Sequence, residues 1–245
     1  MHEFPLLEVA RQPDPAVGPQ RLRDCAWASA AEWIIPADWV SGVYLGKLTH
    51  TTEGTQSYVT FIVRDDRRAD FIFQCSDNTW QAYNRWPSQF ALYDDGKSQW
   101  YWGGGVSVSY NRPYGKYCQI FDAPLSTGSG EFLLWEYPLC YWLEQHGYDV
   151  TYCSNSDTID PAEITRAKTF ISVGHDEYWD VRQYQAVKRG IEEGVSVLWL
   201  SANDVYMVTP FTANAAAYTT PGHTSHGRMA TSRIRAGTVA TDHAK

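Results

Sequence analysis

Directly after the apolar run Thr169-Phe170-Ile171-Ser172-Val173, the chain sets an imidazole and two carboxylates in consecutive positions, Gly174-His175-Asp176-Glu177. That combination suits proton transfer or the holding of a metal ion. It does not suit nucleophilic catalysis, because neither Gly-x-Ser-x-Gly nor Gly-x-Cys-x-Gly stands at this strand-to-helix turn. His175 and Glu177 form an H-x-E of the zinc-deaminase kind, but the accompanying P-C-x-x-C is missing, and no H-E-x-x-H occurs. Two more polar clusters follow apolar runs: Gln74 through Tyr83 after Phe71-Ile72-Phe73, and Ser201-Ala202-Asn203-Asp204 after Leu200. Taken singly, each has a plain structural reading. A histidine at a helix start bonds to backbone, and a first-turn glutamate is favoured by the helix dipole. Only the convergence of such clusters on one face makes a site.

The elements that must bring them together are legible from residue 130 onward. Residues 131–146 place Leu133, Leu134, Tyr137, Cys140 and Tyr141 at helical spacing, with Gly147 set to cap the end. Val150-Thr151-Tyr152-Cys153 reads as a strand. Asp160-Pro161-Ala162-Glu163 reads as a helix start, with an N-cap acid, proline at the first helical position and glutamate three residues after the cap. Thr169 to Val173 is a strand, 180–193 an amphipathic helix ending at Gly194, and Val195 to Leu200 another strand. Nearly continuous apolar strands alternating with helices imply an α/β fold, a doubly wound and mainly parallel sheet with right-handed crossovers. Such sheets bind ligands beyond the carboxyl ends of their strands, near the point where strand order reverses.

Ahead of this domain, Val43, Leu45 and Leu48, the turn Thr52-Glu53-Gly54 and the run from Tyr58 to Val63 predict an N-terminal β-hairpin extension. The domain is expected over 37–206. Residues 1–36 read as a linker or the remnant of a preceding domain. Residues 86–128 read as a long aromatic, glycine-rich loop. Its Trp102-Gly103-Gly104-Gly105 run is assigned to turns and not to a phosphate cradle, since no helix with Lys and Ser/Thr follows. Residues 207–245, rich in Ala and Thr, read as an irregular tail, disordered or non-native in sequence.

A net charge of −8 and scattered basic residues exclude a nucleic-acid surface. The five cysteines are odd in number and lack C-x-x-C spacing, which points to reduced thiols in a cytoplasmic protein and away from disulfides or a zinc site. No apolar signal segment opens the chain, and no run of about 18 apolar residues exists to span a membrane.

Seven blocks, in order, carry a resemblance: Trp39 to Leu48, Tyr58 to Asp66, Thr79 to Asn84, Val108 to Tyr114, Gly147 to Tyr152, Val173 to Trp179, and Ser201-Ala202-Asn203. From about 33 to 206 the chain resembles the C-terminal domain of the large (β) subunit of N,N-dimethylformamidase. The resemblance implies a glutamine-amidotransferase-like, flavodoxin-like α/β domain holding one mononuclear non-haem iron. It implies Glu177 of the Gly-His-Asp-Glu-Tyr-Trp block as one ligand, and Tyr44 and Tyr83 as the others by motif and order. Tyr58, Tyr93 and Tyr110 compete with them in sequence. It places His175 and Asn203 at the iron pocket as catalytic residues, and it implies a small linear amide as substrate, a small partner subunit and homo-oligomerisation. Arg85-Trp86-Pro87 departs from the family's more glycine-rich continuation, and the family's N-terminal half has no counterpart here.

The chemistry is coherent in its own right. Phenolate and carboxylate oxygens are hard donors suited to ferric iron, and only a cation's charge keeps phenols with an ordinary pKa of about 10 ionised near neutrality. Imidazole is the side chain that changes charge near neutral pH, which suits His175 to deliver a proton to a departing amine. Asn203 can orient substrate or water through its amide. The leading expectation is an iron-dependent hydrolase of small linear amides, cutting C–N to amine plus carboxylate. Against it stand a non-catalytic scaffold or subunit-interface module, and a carbohydrate-associated protein suggested by the aromatic loop.

Overall fold

The computed structural model describes residues 11–25, 27–28, 33–87, 92–98, 100–101, 106–115 and 128–211. Two antiparallel strands open it, β1 (Gly42–Thr49) and β2 (Gln56–Val63), with Gly42 opposite Val63 and Tyr44 opposite Phe61. There follow β3 (Ala69–Cys75), α1 (Asp77–Tyr83), a π-helical turn (Phe132–Glu136) that runs into α2 (Tyr137–Gln145), and β4 (Val150–Ser154). The remainder is α3 (Pro161–Thr165), β5 (Ala167–His175), β6 (Tyr178–Trp179), α4 (Val181–Glu192), β7 (Ser196–Ala202) and β8 (Met207–Val208).

The central sheet has four parallel strands in the order β4-β3-β5-β7. The chain steps from β3 outward to β4, returns past β3 to β5 and continues to β7, so the order reverses between β3 and β5. The expected parallel sheet and N-terminal hairpin are both present. Apolar residues on alternate faces of the strands build two cores. On one face Phe73, Cys75, Tyr152, Ile171 and Val173 pack with Phe132, Cys140 and Leu143, and Val43, Leu45 and Ile62 of the hairpin close over them. On the other, Ile72, Cys153 and Phe170 meet Ile164 of α3 and Ala186 and Val187 of α4. Each fully buried side chain of this size contributes roughly 1.5–3 kcal/mol before chain entropy is set against it.

Several local readings shift. The polar stretch from Ser76 to Tyr83 was expected as a strand-end segment and is a helix. The helix expected over 131–146 divides into the π-turn and α2, and Gly147 (φ 73°) ends it as anticipated, its amide donating to Glu144 O at 3.1 Å. Asp160 caps α3 through a bond from the Ala162 amide, yet the helix it starts is only five residues long. Met207 and Val208, assigned to the tail, pair in parallel with Tyr178 and Trp179. Part of the segment before the hairpin is tied to the loop ahead of the π-turn: the Cys25 amide donates to Asn111 O and the Ser107 amide to Gln20 O. The glycine run 102–105, residues 1–10 and residues 212–245 lie outside the described residues. Among the described residues no helix is long and apolar enough to cross a membrane.

Candidate functional site

The carboxyl ends of β3 and β5 flank the reversal in strand order, and both end in polar residues. β3 runs into Gln74, Ser76 and then α1, whose last residue is Tyr83. A seven-residue helix is not stable alone in water; tertiary bonds hold this one at both ends. The buried Glu136 carboxylate accepts from the Ser76 amide at 2.9 Å and from Trp80 Nε1 at 3.0 Å. Asn78 donates to Tyr178 O at 2.6 Å, and its amide donates to Asn155 Oδ1 at 2.9 Å. At the other end the buried Arg112 guanidinium donates to the carbonyls of Gln81, Asn84, Trp86 and Ser109. Burial pulls that guanidinium down to about 10. The product is a fixed position for the Tyr83 ring.

β5 ends in a turn that only glycine fits. Gly174 has φ 79°, and a Cβ there would lie 2.9 Å from Cβ of Trp135 on the π-turn. The next three residues alternate in direction. Asp176 is fully buried and accepts from Gln74 Nε2 at 2.5 Å, Ser172 Oγ at 2.8 Å and Asn155 Nδ2 at 3.0 Å. Glu177 is only 2% exposed; its Oε1 accepts from the Tyr83 hydroxyl at 2.9 Å, and its amide donates to Thr79 Oγ1 at 3.1 Å. Asn203 and Tyr178 also hydrogen-bond the Glu177 carboxylate. Burial pushes that carboxyl up, while Tyr83, His175, Asn203 and Tyr178 pull the other way. His175 keeps a buried Nδ1 with no partner among the described residues, its ring 6.1 Å from that of Trp135.

Two further phenols complete the pocket. The Tyr93 ring stacks on Tyr83 at 4.9 Å, and the Tyr93 and Tyr178 hydroxyls share a hydrogen bond. The Tyr83 phenol is pushed up by burial first and by the Glu177 charge next, and Tyr93 and Tyr178 are pushed up mainly by burial. Asn203 adopts a left-handed conformation (φ 54°) in the turn after β7, which aims it back at Glu177.

Of the residues singled out from sequence, Tyr83, Glu177, His175 and Asn203 thus meet in one pocket. Tyr44 stands apart. Its hydroxyl donates to Val40 O at 2.9 Å, its ring stacks on Trp39 at 4.6 Å and Phe61 at 5.6 Å, and the acid whose charge it feels is Glu144. Tyr110 bonds Asn78 Oδ1, and Tyr58 lies on β2 opposite Lys47. Tyr178 was overlooked although it adjoins Glu177 in the Gly-His-Asp-Glu-Tyr-Trp block, and that adjacency was the signal available.

The donor set was tested against a bound cation. Among the described residues no three His, Cys, Asp or Glu side chains are placed to hold a metal ion, so a cation here must draw on phenol oxygens. Tyr83 and Glu177 already touch, and Tyr93 and Tyr178 adjoin them. Burial pushes Tyr83, Tyr93, Tyr178 and Glu177 toward their protonated forms, and a hard cation would relieve that. The residues fit such an ion. Nucleophilic thiol chemistry is disfavoured, because Cys75, Cys140 and Cys153 are buried with thiols pushed well up, and Cys25 is pushed up to about 12.

Residues 1–242 match the family described as N,N-dimethylformamidase beta subunit-like, C-terminal. No curated protein matches the chain. The chain belongs to the N,N-dimethylformamidase beta subunit-like family.

Proposed function

We propose that this member of the N,N-dimethylformamidase beta subunit-like family is a metal-dependent hydrolase of small linear amides such as N,N-dimethylformamide, giving amine and carboxylate. The observation that carries the reading is the buried Tyr83–Glu177 contact at 2.9 Å, with Tyr93, Tyr178, His175 and Asn203 around it. We assign a mononuclear non-haem iron to Tyr83 and Glu177, with Tyr93 as the second phenol in place of Tyr44, whose hydroxyl is engaged elsewhere. Bound ferric iron supplies Lewis acidity toward an amide carbonyl and acidifies water.

The chain's own groups do the rest. Asn203 orients the amide or the attacking water through its side-chain amide, held by its bond to Glu177. His175, whose buried Nδ1 has no partner among the described residues, carries a proton to the amine nitrogen as C–N breaks and the water oxygen joins the carbonyl carbon. The Tyr93 ring covers one face of Tyr83, and the Trp135 ring stands beside His175. The four described cysteines, all free, favour a cytoplasmic setting, and the amidotransferase-like assignment of the fold rests on the strand order and family together.

Titration of the metal-free protein with ferric iron is the test. A visible phenolate-to-iron band is expected, and it should be absent in Glu177→Ala. If wild type shows no band and Glu177→Ala keeps wild-type metal content, the assignment is wrong. A second reading, a subunit-interface module without catalysis, is favoured by the exposure of Leu198 (41%), Trp199 (42%) and Leu200 (52%) on β7. A partner subunit fits that surface and the family's description. Amide hydrolysis by the isolated chain, lost on removal of Glu177, would eliminate the non-catalytic version.

A further inference from the structure

Asp176 sits between the two residues assigned to chemistry and touches neither substrate space nor solvent. Its side-chain bonds come from separate segments, Gln74 on β3, Ser172 on β5 and Asn155 after β4, and the Trp179 indole faces it as well. None of the donors is a cation. Its backbone carbonyl accepts from the Val205 amide at 3.0 Å, and the adjoining Glu177 carbonyl accepts from the Met207 amide at 2.8 Å. One side chain therefore fixes the turn that aims His175 and Glu177 and, through the same peptide, the segment that follows Asn203.

The donors around it are themselves committed. Gln74 Oε1 accepts from Gln183 Nε2 at 2.7 Å and Thr158 Oγ1 at 3.2 Å, so a flip of the Gln74 amide alone would set its nitrogen against Gln183 Nε2. Asn155 Oδ1 accepts from the Asn78 amide at 2.9 Å, which fixes Asn155 Nδ2 as a donor toward Asp176. Asn155 and Gln74 present N–H donors to Asp176 and the Ser172 hydroxyl donates to it as well, an arrangement that a side chain with acceptors on both sides satisfies. A neutral hydroxyl or amide of similar size leaves at least one buried donor facing a donor.

We infer that Asp176 is the positioning residue of the site: its carboxylate, read by Gln74, Ser172 and Asn155, sets the orientation of Glu177 and so the site's grip on a cation. This inference rests on the proposed role of Glu177 as a metal ligand. It goes further in naming what holds that ligand in place.

A polarity swap tests it. Asp176→Asn places a donor against Asn155 Nδ2 or Gln74 Nε2. Adding Asn155→Asp gives the new amide at 176 a carboxylate to donate to, leaves its oxygen to accept from Gln74 and Ser172, and keeps an acceptor for the Asn78 amide. Hydrogen exchange on the metal-free protein should show the amides of Glu177, Val205 and Met207 opening about tenfold faster in Asp176→Asn, with amides of α4 unchanged. Ferric affinity should fall roughly 10- to 100-fold, as for loss of a group that orients a ligand. The double variant should return both within about threefold of wild type. Unchanged exchange in the single variant, or a double variant no better than the single, overturns the inference. Should Asp176→Asn fail to fold, Ser172→Ala removes one donor only. It should show a smaller acceleration at the same three amides, and none there overturns the inference equally. A wild type with no ferric band defeats the proposed function instead, and the exchange comparison still decides the role of Asp176.

Discussion

Tyr93 and Tyr44 differ in what their hydroxyls already do. Tyr93 bonds Tyr178 inside the pocket, while Tyr44 is spent on its own chain at Val40. Tyr93→Phe is therefore expected to weaken ferric uptake tenfold or more, in keeping with the cost of losing a group at a metal site. Tyr44→Phe should leave uptake within about twofold and remove only a bond worth roughly 0.5–1.5 kcal/mol. Titration at the phenolate band separates the two. Asp77 offers a pH readout apart from Tyr83 and Tyr93. Burial raises its carboxyl to about 7, so the folded protein holds that proton to higher pH than the unfolded chain does. Stability from this group is present below the ordinary carboxylate range and falls as pH rises through about 7. Asp77→Asn should flatten the decline between about pH 4 and 7 in urea melts. His175, Glu177 and Asn203 were legible because they end apolar strands. Tyr93 entered only as a competitor of Tyr44 and Tyr83, because it lies in a loop whose path no periodicity announces.

At the scale of elements, the strands and α4 could be read because burial on both sheet faces leaves continuous apolar runs, and the outer helix keeps its stripe. The helix α1 could not. Its residues carry no apolar period, and its stability comes from Glu136, Asn155 and Arg112, far away in sequence. Caps are the testable joints. Asp180 begins α4 by accepting from the Arg182 amide and guanidinium, and it also accepts from the Phe211 amide. The Arg182 bond holds its carboxyl down at about 2. Its contribution is therefore intact above the ordinary carboxylate range and is lost as pH falls through about 2. Asp180→Ala should cost about 1–2 kcal/mol at neutral pH by urea denaturation. Gly174→Ala forces a side chain into a left-handed backbone and against Trp135. A loss of roughly 1–3 kcal/mol in the same assay is expected, together with weaker ferric binding.

Across the whole molecule, β3 and β5 are sheathed on both faces while β7, one of the sheet's two edge strands among the described residues, is open. Leu198, Trp199 and Leu200 stand out from it, against the usual habit of charging such edges. Leu200→Asp should lower self-association in light scattering while shifting urea stability by less than about 1 kcal/mol, as for a half-exposed position outside both cores. The pairing of β8 with β6 had no signal in the sequence, where residues from 207 on read as an irregular tail.

The Arg112 guanidinium leads to a different kind of expectation. All of its partners are carbonyl dipoles, so there is no opposite ion whose pull dissolved salt can screen. A surface pair such as Lys168 with Asp70 loses strength in brine, but the clasp on the last turn of α1 does not. The seat of Tyr83 is thereby insulated from osmotic conditions outside, and the pocket keeps its shape in media that loosen the protein's periphery.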